Sequence, residues 1–401
     1  MFPMLTSTFP QELSDHVVGY FSKDSLTLKS CSLVSRGWLI SSRAHLFHDI
    51  RIDDHNFDEF TSLIIHSLST IHPFVKRLEL APEKLDCRWL RRLVPFLTEL
   101  TSVINLRIQN VDWSALHSYS RSSFLFNFAP TLTELRINHM SFDSFKEVVD
   151  IVSAFPLLVS LSLDHVQWKD PNFDPPTRDS GKYLPPSVRS LHLGTCIIRH
   201  VVHWLLSHEQ HPTINHLDLG PLHQSDIPTT SLFMALSGPA LQSIKVRFDA
   251  VGGGIHANDD MVDIPMFTPP EGVCHTAVKC AQLGYLTELR YFEIKSYVHY
   301  SDHQRSTAIF LAPSICSSFI SPLLEEVVFN VALSRVGELD MHAIDWQALD
   351  SAFDRKELVR LQKVRFAVDG SANRKALASL LALRLPVCHS RGILYIDQQC
   401  T

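Results

Sequence analysis

Residues 103–113, 132–142 and 158–168 read VINLRIQNVDW, LTELRINHMSF and LVSLSLDHVQW. Each opens with an apolar residue and two variable ones. Apolar and polar residues then alternate up to Ile108, Ile137 and Leu163. Alternation with a period of two marks a strand with one face in a core. Apolar residues return three and five places later, as Val111 and Trp113, Met140 and Phe142, Val166 and Trp168. Each stretch therefore runs along an interior, turns, and re-enters the same interior.

The pattern extends in both directions. VKRLEL starts at 75 and precedes these three copies; VRSLHL at 188, INHLDL at 214, LQSIKV at 241, LRYFEI at 289, LEEVVF at 324 and LQKVRF at 361 follow them. The motif is short enough to recur by chance, so its period carries the weight. The first seven copies are spaced 26 to 30 residues apart. Seven of the ten copies also have a proline two residues upstream: Pro73, Pro130, Pro156, Pro186, Pro212, Pro239 and Pro322. Composition alone predicts about half of one such coincidence. Proline cannot continue a helix and biases its predecessor toward extended backbone, so it ends a connection and launches a strand. Between strands, residues 142–155, 197–210 and 372–384 have helical spacing. Cys196 and Ile198 are expected to turn inward after the fifth strand as their counterparts do.

This array, over residues 73–397, resembles the leucine-rich repeat. The resemblance implies an α/β solenoid with parallel strands on its concave face. The family's Asn or Cys three residues after the strand motif is matched only by Cys196, so an irregular solenoid without an asparagine ladder is expected. Spacing loosens after residue 246, with gaps of 48, 35 and 37 residues. Segments 164–186 and 249–272 are rich in Pro, Gly and Asp and read as surface insertions. A non-solenoid α/β protein is the competing fold, because strand–helix alternation alone does not separate the two.

The segment before the array differs. Residues 9–50 place Leu13, Val17 and Tyr20, then Leu28, Cys31 and Val34, then Trp38 and Leu46, at helical spacing. Three short helices are expected, the second capped by Ser25. The segment resembles an F-box through Phe9-Pro10, Glu12-Leu13, Leu28, Cys31, Val34-Ser35-Arg36, Trp38 and Leu46-Phe47. Phe9 replaces the usual Leu, and Phe47 stands where many members have Trp. The resemblance implies docking on an S-phase-kinase-associated adaptor that bridges to a cullin scaffold, with Pro10, Leu13, Leu28, Val34 and Trp38 forming the adaptor-binding patch or its support. The helices would otherwise serve only to cap the first repeat.

Composition narrows the remaining chemistry. The chain has 401 residues, 45% hydrophobic and 19% charged, with a net charge of −6. At about 150 residues per domain this suggests two or three domains or one elongated array. The charge excludes a generally basic nucleic-acid binder. No apolar run reaches the roughly 18 residues of a membrane helix, and the N-terminus has no signal-peptide pattern. Eight scattered cysteines with no C-x-x-C pair fit reduced thiols in a cytoplasmic or nuclear protein.

No catalytic, metal or cofactor site is expected. His200, His203, His208 and His211 share one helical stretch but have no thiolate pair or H-E-x-x-H. Gly252–Gly254 lack the Lys of a phosphate loop, and there is no G-x-S-x-G elbow. The outward strand positions mix eight basic and six acidic residues, which suits a protein partner rather than a phosphate backbone. Arg77, Arg107 and Arg136 cluster near the N-terminal helices and are expected to dock an acidic or phosphorylated target segment. Their alternative is to pair with Glu79 and Glu134 as a solvated sheet face.

These readings combine into a non-catalytic substrate receptor of a cullin-based ubiquitin ligase. A repeat scaffold without a ligase connection is the second reading, and an enzyme the third.

Overall fold

A computed structural model describes residues 10–67, 69–83, 88–170, 182–207, 212–248, 283–298, 308–341 and 344–398. The chain divides into two compact units, Met1–Asn172 and Phe173–Thr401. Among the described residues no helix is long and apolar enough to cross a membrane.

The first unit opens with three helices, α1 (Gln11–Gly19), α2 (Ser25–Cys31) and α3 (Arg36–Leu46). Val18, Leu28 and Cys31 form their core, and Trp38 and Leu46 pack against it. The cap of α2 is Asp24 rather than Ser25. Its carboxylate accepts from the amides of Leu26 and Thr27, both at 3.1 Å. Those amides have no partner inside the helix, and a carboxylate there also complements the helix dipole. Gln11 Nε2 ties α1 to α3 by donating to Ser41 Oγ at 2.9 Å and to the Gly37 carbonyl at 3.2 Å.

Five parallel strands follow in chain order: β1 (Asp49–Ile52), β2 (Arg77–Leu80), β3 (Asn105–Gln109), β4 (Glu134–Phe142) and β5 (Ser160–Trp168). Helices connect them: α4 (Phe57–Ile65), α5 (Arg88–Leu97), α6 (Ser118–Phe128) and α7 (Phe145–Ser153). Leu78, Leu106, Leu135 and Leu161 stand opposite one another in register, and none is more than 1% exposed. This is an α/β array of the leucine-rich-repeat kind.

The re-entry of apolar residues has a backbone cause. Strict alternation would turn Val111, Met140 and Val166 outward. Asn110, His139 and His165 instead adopt positive φ, at 56°, 49° and 51°. One left-handed residue shifts the alternation by one place, as a bulge does. Val111, Met140 and Val166 are consequently buried. Asn and His are among the side chains that tolerate this conformation best. Asn110 also donates from Nδ2 to the Pro82 carbonyl at 3.1 Å, so one asparagine does bridge neighbouring repeats.

The second unit repeats the plan with β6 (Ser190–Leu193), β7 (His216–Leu222), β8 (Ser243–Phe248), β9 (Tyr291–Val298), β10 (Glu326–Ala332), β11 (Lys363–Asp369) and β12 (Leu394–Gln398). These strands pair in parallel and in chain order. Leu191, Leu217, Ile244, Phe292, Val327 and Val364 form its buried ladder. Helices Ile198–Leu206 and Arg374–Arg384 lie inside the stretches expected to be helical. Ile198 is buried, but Cys196 is only half-buried. The cause is local: the chain turns at Gly194, and the Cys196 amide donates back to the Gly194 carbonyl at 3.0 Å. Insertion 249–272 lies outside the described residues, as do residues 171–181 of the other insertion.

All ten motif copies are strands. Among the described residues two strands lie beyond them. FHDIRI at 47–52 fits the motif 28 residues before the first copy, yet it overlaps the end of a helical pattern. β12 breaks the motif because Arg391 holds its first apolar place.

Candidate functional site

The first surface belongs to α1–α3. A three-helix unit this small cannot bury all its apolar side chains. Leu28 is buried in its core, and Trp38 is half-buried beside it. Pro10, Leu13 and Val34 are exposed, with Leu13 at 49% and Val34 at 63%. Of the five residues expected to bind an adaptor, three therefore face solvent and two support them from within. The same helices expose Leu33, Leu26, Tyr20 and Ile40. Helical spacing includes Tyr20 but misses Leu26, Leu33 and Ile40, because it scores residues that repeat along one face and these three lie off that stripe. These side chains leave apolar surface in water that a partner can bury.

The second surface is the outer face of β1–β4. Register places Arg51, Glu79, Arg107, Arg136 and Ser162 in one row across the strands. Asp49, Arg77, Asn105, Glu134 and Ser160 form the adjacent row. A depression here is lined by Asp49, Arg51, Arg77, Glu79, Arg107 and Arg136, together with Asn105. The three arginines singled out from the sequence do come together. Arg51 joins them from β1, between the helical segment 9–50 and the array that starts at 73, where the sequence pattern predicts no strand.

These arginines are not bare. Arg77 grips Asp49 through Nε and Nη2, and this holds the Asp49 carboxyl below its ordinary range. Arg136 Nε donates to Glu134 at 2.6 Å. Glu79 accepts from Arg51 Nη1 at 3.3 Å and from Gln109 Nε2 at 2.9 Å. Arg107 fares worst. Its closest carboxylate oxygen, on Glu79, is 3.9 Å away, and its Nε is buried with no partner. With the Asn138 amide oriented so that its oxygen faces Arg107, that oxygen accepts from Nη2 at 3.2 Å. The pairing with acidic neighbours thus holds for Arg136 with Glu134, takes Asp49 as partner for Arg77, and is weak for Arg107.

Several charges on the strand face of the second unit are paired. Lys295 Nζ donates to both Asp218 oxygens, at 2.7 and 2.8 Å, and His192 Nδ1 lies 3.0 Å from the same carboxylate. Burial pushes the Asp218 carboxyl up, but hydrogen bonds from His192 and Lys295 overcome this and hold it below the ordinary value. Glu293 is only 7% exposed. Burial raises its pKa too, and bonds from Lys245, Tyr291 and Asn330 reverse the shift. Arg365 Nε donates to Glu326 at 2.7 Å.

Among the described residues no group of three or more His, Cys, Asp or Glu is arranged to hold a metal ion. His200 is buried on its helix, while His208 and His211 lie outside the described residues, as do Gly252–Gly254.

No protein-family model matches the chain, and no curated protein matches it. Among solved structures the chain is similar to one titled "Crystal structure of Rad7 and Elc1 complex in yeast", at 13% sequence identity and a TM-score of 0.39. The match covers 91% of this chain and 90% of that one.

Proposed function

We propose that the protein is the non-catalytic substrate-recognition subunit of a cullin-based ubiquitin ligase. The exposed apolar patch on α1–α3 carries this reading. These helices resemble an F-box, and their exposed Pro10, Leu13 and Val34 give an adaptor apolar side chains to bury, while Leu28 and Trp38 hold the patch rigid. Burial of such side chains drives association. The repeat face then holds a target protein, with Arg77, Arg107 and Arg136 in the docking surface. The receptor acts by proximity: it raises the effective concentration of a target lysine near the charged ubiquitin carrier. No side chain need form a covalent bond.

The test is co-purification. The full chain expressed in eukaryotic cells should bring down an S-phase-kinase-associated adaptor and a cullin in stoichiometric amounts. Recovery of target proteins without either would sink the ligase reading and leave an interaction scaffold.

A further inference from the structure

The depression on β1–β4 contains one guanidinium without a close carboxylate. Arg77 holds Asp49, Arg51 pairs with Glu79, and Arg136 pairs with Glu134 at the edge, which leaves Arg107. Arg107 and Arg136 stand directly opposite each other on adjacent strands, and like charges so placed repel. Arg51 lies in the same row, beyond Glu79. Arg107 brings a buried Nε with no acceptor, and an unmet buried donor is costly.

We propose that this depression binds the dianion of a phosphate monoester borne on a protein segment, held by Arg107 with Arg51 and Arg136. Asp49, Glu79 and Glu134 are built-in competitors that an entering anion must displace. A carboxylate offers the arginines only what these three already supply. A phosphate monoester carries up to two charges and three strong acceptor oxygens, so it can accept from Arg107 and Arg136 together. Arg77, already gripped at two nitrogens by Asp49, supports the rim rather than the anion. Only the nature of the phosphate carrier rests on the substrate-receptor reading; the anion site rests on the geometry of β1–β4.

The test titrates the full chain with inorganic phosphate, followed by phosphorus NMR. It is then titrated with fluorescent peptides identical except for phosphoserine, glutamate or serine at one place. Arg107→Gln should weaken phosphate binding about ten- to hundred-fold, the range for losing a charge-assisted hydrogen bond. Glu79→Gln should tighten it. The phosphoserine peptide should bind at least about ten-fold tighter than the glutamate peptide and tighter than inorganic phosphate. Equal phosphate affinity in wild-type and folded Arg107→Gln protein, equal affinity for the phosphoserine and glutamate peptides, or weaker binding by Glu79→Gln would each overturn the site. Arg107-dependent binding of inorganic phosphate with no gain from the peptide would overturn the protein-borne source. Adaptor co-purification from the same preparations separates the two proposals: a failed phosphate site leaves it intact, and a failed ligase reading abolishes it without touching phosphate binding.

Discussion

Replacing Leu13 and Val34 together by Ala should break adaptor binding without unfolding the protein. Fully burying a Leu or Val side chain contributes about 1.5–3 kcal/mol. Leu13 is 49% exposed and Val34 63%, so docking has roughly half to two-thirds of that left to gain at each. The pair together accounts for about 1.7–3.4 kcal/mol, or roughly 20- to 300-fold in Kd. Folding stability should fall by about 1.3–2.6 kcal/mol, because the remaining half of Leu13 and third of Val34 are already buried in the fold. Trp38→Ala is unsuitable for this purpose, because Trp38 packs on the Val18, Leu28 and Cys31 core and its loss would confound binding with unfolding. The assay is biolayer interferometry of the purified full chain against purified adaptor, with circular dichroism to check the helices. A folded double variant binding within threefold of wild type would refute the assignment of this face.

Other expectations follow from the repeat arrays. Leu135→Ala removes a fully buried rung between Leu106 and Leu161 and should cost about 2–5 kcal/mol, seen as faster hydrogen exchange in β3–β5. Gly220→Ala would drive a Cβ to 2.4 Å from the carbonyl oxygen of Gly194, just past the end of the neighbouring strand, so thermal unfolding of the second unit should shift down. Asp218 and Glu293 titrate below their ordinary values in the folded chain. Their contribution is present above the unfolded values of about 4 and is lost as pH falls through the folded ones; Asp218→Asn with Glu293→Gln should flatten the acid limb of the stability–pH curve. Arg107→Glu with Arg136→Glu should leave adaptor binding intact and remove target proteins from the affinity-purified set.

Sequence alone determined the rungs of both arrays. A buried strand face must alternate, and a proline before it must end the preceding connection, so ten strands could be read from apolar spacing. It also determined the core of the N-terminal helices, because Leu28 and Cys31 lie three residues apart on one face of a helix. Tertiary structure decided what spacing could not. β1 was hidden because FHDIRI satisfies a strand pattern while continuing a helical one, and only pairing with β2 selects the strand. The left-handed residues Asn110, His139 and His165 leave no apolar signature, since their role is a backbone angle. The charge of the β1–β4 face was decided last. Arg136 has Glu134 two residues away on its own strand, a pairing legible in the sequence. Arg77 takes Asp49 from a strand 28 residues away, and Arg107 is left without a close carboxylate; strand register decides both, and only the fold supplies it.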